Sequence, residues 1–536
     1  MKRGKIFKSI LSLALVAGFA VLGTACAGGL DDEEKIDKTK TQLTVKYYGA
    51  GYGSDWILNY KKTFEEKYKD FKNGNKTGVQ VMLDGTMTKY ATVQELESDA
   101  NDVYFLEGTD FATFAKAGCF EDITSVVTGQ NSDGKTIESK LDQTQKDYYT
   151  VNGKYYGLPH YTGAYGIIYN IDLFEENNLY IKKGATNRDF LISSSADAKS
   201  AGPDGVEGTS DDGLPATYDE FFKLCDEMVN KGITPICFTG QYKYDYIAKF
   251  MDNLVSNYNG VAEQRLYYTY NGTATKLAKV NGDGSLDVGT LETANVTTSN
   301  GYELAREAGV YYGANFVERL SAGGVNNPKY VLEASFGDSF THKQAQKAFL
   351  QGDTAMLMDG DWWMTEASAS ITESEKQTRK FGWLPLPHAT EGQVGDKQVY
   401  TDNLATSASV RSGLDDVIKE LAFDFIKDFY TDDNLVAFTK TTSTFVGVDY
   451  KAALNAAESE LTPYAKTLSE FIQNADVMYQ ISNIDFFNLN YNDLQSVYYY
   501  RVAGVQPLKY ILDGHSAGDY FKAFYSGMKS KTSIWK

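Results

Sequence analysis

Asp359-Gly-Asp-Trp-Trp363 packs two carboxylates and two indoles into five positions. Two carboxylates can cleave a glycosidic bond when they flank it, about 5–5.5 Å or about 6.5–9.5 Å apart. Asp359 and Asp361 are two residues apart in one turn, and that spacing does not put them on opposite sides of a bond. No catalytic residue is therefore assigned. The same turn is well suited to binding. Carboxylates accept hydrogen bonds from hydroxyls more strongly than neutral groups do, and an indole offers a flat apolar face. Adjacent indoles cannot share one direction, so one of Trp362 and Trp363 faces a cleft and the other a core.

The other carboxylate-rich stretch is Gly202-Pro-Asp-Gly-Val-Glu-Gly-Thr-Ser-Asp-Asp-Gly213. Either Asp204, Glu207, Asp211 and Asp212 offer calcium the hard oxygen ligands it takes, or the string is a solvated acidic loop. Asn281-Gly-Asp-Gly-Ser-Leu-Asp287 resembles half an EF-hand loop, but Lys279 stands at the expected first ligand position. The four histidines, His160, His342, His388 and His515, are scattered and do not suggest a histidine-rich metal centre. Cys119, Cys225 and Cys237 lack the usual zinc spacings. Cys225 and Cys237 are either a disulfide or two buried thiols. No cofactor and no metal is expected, calcium in the acidic string being the alternative.

Composition narrows the partners. The chain carries 39 tyrosines and 14% aromatic residues. Tyrosine joins a flat apolar face to a polar tip, and sugars present C–H faces and hydroxyl edges, so the excess fits a saccharide-binding surface. The formal net charge is −19, a field that repels phosphate backbones and makes nucleic acid an unsuitable partner. At the N-terminus Lys2, Arg3, Lys5 and Lys8 precede an uncharged apolar run over 10–22, followed by Gly23, Thr24, Ala25 and Cys26. This is the layout of an export signal. The run is short for a membrane-spanning helix, which needs roughly 20 residues. Cleavage before Cys26, with lipid on its thiol, is expected, although Leu22 sits four residues before the cysteine and not three. The alternative is an ordinary secreted protein cut nearby. Residues 27–40 then form a flexible tether.

The elements that must position the Asp359 turn alternate between strand and helix. Strands are expected over 43–48, 79–83, 102–106, 232–238, 355–358 and 381–384. Helices are expected over 56–68, 89–99, 111–117, 172–177 and 342–351, with another opening at Thr217 through a capping box with Glu220. Residues 154–170 and 401–410 read as extended chain. Residues 180–215 are polar and glycine-rich and read as a surface insertion. Such alternation predicts parallel sheets with helices on their faces. Ligands of such sheets sit beyond the carboxyl ends of the strands, where the loop 49–55 and Glu107-Gly-Thr-Asp110 lie. Asp110 also suits the N-cap of the helix that follows.

Five runs carry a resemblance to a known family: Asp102-Val-Tyr-Phe-Leu with Lys116-Ala-Gly-Cys-Phe-Glu-Asp-Ile; Tyr156-Gly-Leu-Pro through Tyr169-Asn-Ile-Asp-Leu-Phe; Thr217-Tyr-Asp-Glu-Phe through Gly232-Ile-Thr-Pro-Ile; Ala348-Phe-Leu-Gln-Gly-Asp-Thr-Ala-Met through Asp359-Gly-Asp-Trp-Trp; and Phe381-Gly-Trp-Leu-Pro-Leu-Pro. In this order, behind an export signal, they resemble the extracellular solute-binding proteins of ABC transporters, in the carbohydrate-binding family that includes maltose-binding protein. The resemblance covers about residue 43 to the C-terminus, with 180–215 departing from it. It implies a two-lobe α/β fold of the periplasmic-binding-protein type that closes on a solute. One lobe would be 41–162 with 402–447, and the other 163–401 with 448–536. Residues 161–165 and 400–403 would be hinge strands. It further implies a non-catalytic, monomeric receptor that hands an oligosaccharide or another polar solute to a membrane permease, on the outer face of the membrane. Trp362 matches the family's stacking tryptophan, and Tyr242 and Tyr244 fall where the family places an aromatic contact. By position, Glu107, Asp110, Gln241, Asp359, Asp402 and Asn403 are polar candidates, with Tyr52, His160, Tyr165 and Tyr491 beside them.

Overall fold

The computed structural model describes residues 35–86, 89–185, 190–194, 197–498 and 500–535. Cys26 and the export signal lie outside the described residues. The strands used below are β1 (Thr41–Lys46), β2 (Val79–Asp84), β3 (Val103–Glu107), β4 (Tyr165–Asn170), β5 (Ile236–Cys237), β6 (Gly272–Val280), β7 (Leu286–Val296), β8 (Met356–Gly360), β9 (Phe381–Leu384), β10 (Val399–Asp402), β11 (Thr406–Val410) and β12 (Asp476–Tyr479).

Two four-stranded sheets organise the chain into two α/β lobes. The first has the order β11-β3-β1-β2 and the second β9-β4-β8-β5. Neither is purely parallel. β1 runs parallel to β2 and β3, but β11 is antiparallel to β3. β4 is antiparallel to both β8 and β9. The expectation of parallel sheets fails at these two strands for one reason. Each follows a crossing between lobes and so enters its sheet against the direction of its neighbours. A parallel pair, β10 with β12, lies outside both sheets.

Apolar alternation and end signals explain the local structure. Leu43 and Val45 of β1 are buried with Val81, Val103 and Phe105. The helix Asp55–Lys67 turns Trp56, Tyr60 and Phe64 inward at four-residue spacing. The helix His342–Gln351 starts at Thr341, whose side chain and that of Gln344 form a capping box. At Thr217 the box is only half made. Thr217 accepts from the Glu220 amide, but the Glu220 carboxylate takes the Ala216 amide at 2.8 Å. The helix expected over 89–99 is confined to Val93–Glu97.

The apolar interior forms two clusters. One fills the first lobe and continues through Ala164, Trp363 and Phe349 into the second. The other lies on the far side of the second sheet, around Ile167, Phe250, Phe316 and Met356. Part of the 180–215 segment belongs to this second cluster, since Tyr180, Ile181, Phe190 and Leu214 are buried in it. The segment is therefore anchored in the core and is exposed as an insertion chiefly over 205–208, while Pro203 and Asp211 on either side are buried. Cys119, Cys225 and Cys237 are free and buried thiols. Among the described residues no helix is long and apolar enough to cross a membrane.

Candidate functional site

The carboxyl ends of β1, β3 and β8 meet at one place between the lobes. Register sets this up: Gly360 at the end of β8 pairs with Tyr165 at the start of β4, and Thr406 of β11 pairs with Glu107 at the end of β3. After β8 the chain turns, and Trp362 projects toward the first lobe. Its indole stands edge-on to the Tyr165 ring, centroids 5.1 Å apart at 89°, with Tyr52 at 6.1 Å. Glycines make the approach possible. A Cβ on Gly51 would lie 3.1 Å from the Trp362 ring, and Gly51 also has φ +78°, which favours glycine. A Cβ on Gly163 would lie 3.3 Å from it. Trp363 points the other way. It is fully buried against Phe349, Phe381 and Tyr464.

The first lobe supplies a wall of tyrosines around one carboxylate. Tyr161 stacks on Tyr48 at 5.9 Å and lies 3.9 Å from Tyr52, centroid to centroid. The hydroxyls of Tyr48 and Tyr161 donate to Glu107, yet burial still pushes the Glu107 carboxyl above its ordinary range. The Tyr52 hydroxyl is buried with no hydrogen-bond partner among the described residues, an arrangement that costs free energy until a polar group reaches it. The second lobe supplies Asp359, which accepts from Gln346 Nε2 at 3.0 Å and from the Tyr246 hydroxyl. Burial first, and then the charge of Glu366, push the Asp359 carboxyl up to about 8. Tyr246 meets Tyr165 edge-on at 5.7 Å. Asp361, fully buried beneath the turn, accepts from Thr444 Oγ1 at 2.6 Å, and burial pushes its carboxyl up to about 7. Tyrosine faces and edges, an indole and carboxylates at the strand ends make a surface that can pack on C–H faces and bind hydroxyls.

Of the residues expected from sequence, Tyr52, Glu107, Tyr165, Asp359 and Trp362 come together here. Asp402 lies beside the crossing segment and accepts from Thr162 Oγ1 at 3.0 Å. Asp110 is exposed and caps the helix Phe111–Lys116, accepting from Thr113. Asn403 is exposed and folds onto the Ala405 amide. Gln241 is exposed, its backbone held by Phe340. Tyr242 caps the helix Lys243–Asn259, and Tyr244 packs on the second cluster. Tyr491 packs against Phe487 in that cluster. His160 lies inside the first lobe, not on the cleft: it is 1% exposed among the rings of Trp56, Phe105, Phe429 and Phe438, and burial pulls its imidazole down to about 3, so it stays neutral.

The acidic string does not converge. Glu207 pairs with Lys183, Asp211 accepts from Thr209 Oγ1 and the Asp204 amide, Asp204 accepts from the Val206 amide, and Asp212 accepts from the Gly208 amide. Among the described residues no group of three or more His, Cys, Asp or Glu is placed to hold a metal ion. Reasoning from sequence missed Tyr48, Tyr246, Gln346 and Glu366. For Tyr246 a signal existed: helical phase puts it on the face of Tyr242, one turn on. Gln346 and Glu366 join the site through tertiary packing alone.

Two α/β lobes whose strand ends face each other across an aromatic and acidic cleft define a solute-binding protein of the two-lobe kind. The chain belongs to the bacterial extracellular solute-binding protein family, whose model matches residues 54–435. That is a family of binding proteins, not enzymes. A curated relative, the multiple sugar-binding protein of Streptococcus mutans serotype c, is 26% identical over 239 residues, and the match spans 44% of each chain. Two solved structures share the fold. A chitin oligosaccharide binding protein matches with a TM-score of 0.54 and 18% identity, covering 92% of this chain and 99% of that one. The binding protein RafE, in complex with raffinose, matches with a TM-score of 0.51 and 16% identity, covering 91% and 100%.

Proposed function

We propose that the protein captures a sugar, an oligosaccharide in particular, outside the cell and delivers it to an ABC transporter permease. The observation that carries this reading is the Trp362 wall. An indole, five tyrosines and the carboxylates Glu107 and Asp359 gather at one place between the lobes. Aromatic faces match the C–H faces of a pyranose, and carboxyl groups hydrogen-bond its hydroxyls. The similar proteins, a multiple sugar-binding protein, a chitin oligosaccharide binding protein and a binding protein in complex with raffinose, support the same class. The lobes are assigned to 41–162 with 402–447 and to 163–401 with 448–536. The protein acts as a monomer, held to the membrane by lipid on Cys26.

A glycan panel screened by thermal shift tests the sugar reading. A solute at 100 times its Kd stabilises the fold by about 2.7 kcal/mol. A panel in which every sugar is silent, with a different polar solute shifting the melt, would replace the sugar by that solute. For the anchor, Cys26→Ser should release the protein from the membrane fraction; retention equal to wild type would refute it.

A further inference from the structure

Gln346 is fully buried on the helix His342–Gln351, behind the turn that carries Trp362. Its Nε2 donates to Asp359 Oδ2 at 3.0 Å and to Glu366 Oε2 at 2.7 Å. These carboxylates stand at the two ends of the turn, and Trp362 lies between them in sequence. One amide thus closes the turn from behind. The geometry also constrains charge. Two carboxylate oxygens within reach of one nitrogen are close neighbours, and burial together with the charge of Glu366 holds the Asp359 carboxyl above its ordinary range. The groups facing the pair are His342 on the same helix, its Nε2 3.4 Å from Glu366 Oε1; Tyr246 from the helix Lys243–Asn259; Tyr165 from β4; Cys237 from β5; Tyr464 from the helix Pro463–Asn474; and Tyr48 from the first lobe. None of these carries a fixed positive charge.

We propose that Gln346 is a positioning residue for solute capture: its amide ties the Asp359 and Glu366 carboxylates together across the turn, and the tied pair holds Trp362 in its binding pose. The proposal rests on the Trp362 wall being the solute site. Gln346 itself touches no solute. Among the described residues its Oε1 is buried without a partner, so the amide is oriented through its bonds to the two acids.

Four proteins test it: wild type, Gln346→Leu, Glu366→Gln and the double variant. Glu366→Gln places a new amide beside Asp359, which can replace the donor lost in Gln346→Leu. Thermal melts without solute come first. Gln346→Leu is expected to lose more Tm at about pH 8 than at about pH 5.5, because the buried Asp359 carboxylate, once ionised, has then lost its amide donor. The double variant is expected to recover most of that loss, a coupling that only interacting groups show. An equal loss at both pH values with no recovery means Gln346 merely fills space, and overturns the proposal. Isothermal titration follows, with the first member of a panel containing raffinose and chitin oligosaccharides that binds wild type. Gln346→Leu should weaken binding at least about tenfold, with recovery in the double variant. Wild-type affinity in Gln346→Leu would overturn the positioning role even if the melts behave. Trp362→Ala is the separate arm. If it binds like wild type, or if no panel member binds at all, the reading of the site fails, and the melts alone decide the tied pair.

Discussion

The turn from Asp359 to Glu366 has two sides. On one, Trp362 stands between the lobes against Gly51, Gly163 and Tyr165, and part of its surface is open. On the other, Trp363 is sealed among Phe349, Phe381 and Tyr464 with no exposure. The same residue type, one position apart, does different work because its neighbours differ. Glycines let the first lobe approach one indole, which stays partly exposed, whereas aromatic rings seal the other. Carboxylates divide in the same way. Asp361, fully buried under the turn, is held through one oxygen by Thr444, whereas Glu107 and Asp359 stand among the tyrosines beside Trp362. Stability and binding are therefore separable within eight residues, and substitutions on the two sides should break different properties.

The largest effect is expected on the sealed side. Trp363→Ala leaves a cavity in the apolar cluster and should destabilise the fold by about 3–5 kcal/mol, read in urea melts, while folded protein keeps its solute affinity. A variant as stable as wild type would show that the cluster does not depend on this ring. Next comes the acid beneath the turn. The Asp361 carboxyl is pushed up to about 7 by burial, so its protonated form favours the folded state. That contribution is complete below its ordinary value and is lost as pH rises through about 7. Tm should therefore fall over that window in wild type and fall less in Asp361→Asn. Parallel profiles would assign the pH dependence elsewhere.

On the open side a smaller effect is expected from Tyr52→Phe. The buried hydroxyl has no partner among the described residues, so its removal should leave the ligand-free Tm unchanged or slightly raised. If the solute satisfies that hydroxyl, affinity should drop by about 1–3 kcal/mol. A lowered Tm with unchanged affinity would make Tyr52 part of the core instead. The smallest effect belongs to the acidic string. Trimming 203–212 should leave solute affinity within about twofold, a fraction of a kcal/mol. Removing all of 180–215 is a different experiment: it strips Tyr180, Ile181, Phe190 and Leu214 from the second cluster and should unfold that lobe.

Periodic and capped segments were legible in the sequence. The helix His342–Gln351 and the strand Phe381–Leu384 match their expected bounds, because a capping box starts one and an apolar run flanked by polar residues defines the other. The family match bears out the resemblance and the two-lobe fold. The hairpin of β6 and β7 was not foreseen. Its turn, Asn281-Gly-Asp-Gly, lies in the stretch compared with an EF-hand loop, although such dipeptides between alternating strands are hairpin signals. The reversed strands β4 and β11 depend on where the chain crosses between lobes, which local pattern does not encode. At the site, Trp362 and Asp359 were visible because they sit together in one turn. Gln346 and Glu366 were not, because separate helices deliver them to the Asp359 carboxylate, and Tyr246 was signalled only by its helical phase with Tyr242.

The most direct test is isothermal titration of Trp362→Ala beside wild type, using the glycan that gives the largest thermal shift. Loss of a stacking indole removes about 0.5–1.5 kcal/mol of aromatic contact as well as the area it buries. The expected result is an affinity at least about tenfold weaker, with Tm within a few degrees of wild type, since Trp362 is only partly buried. Wild-type affinity in a folded Trp362→Ala protein would contradict the account and place the solute elsewhere.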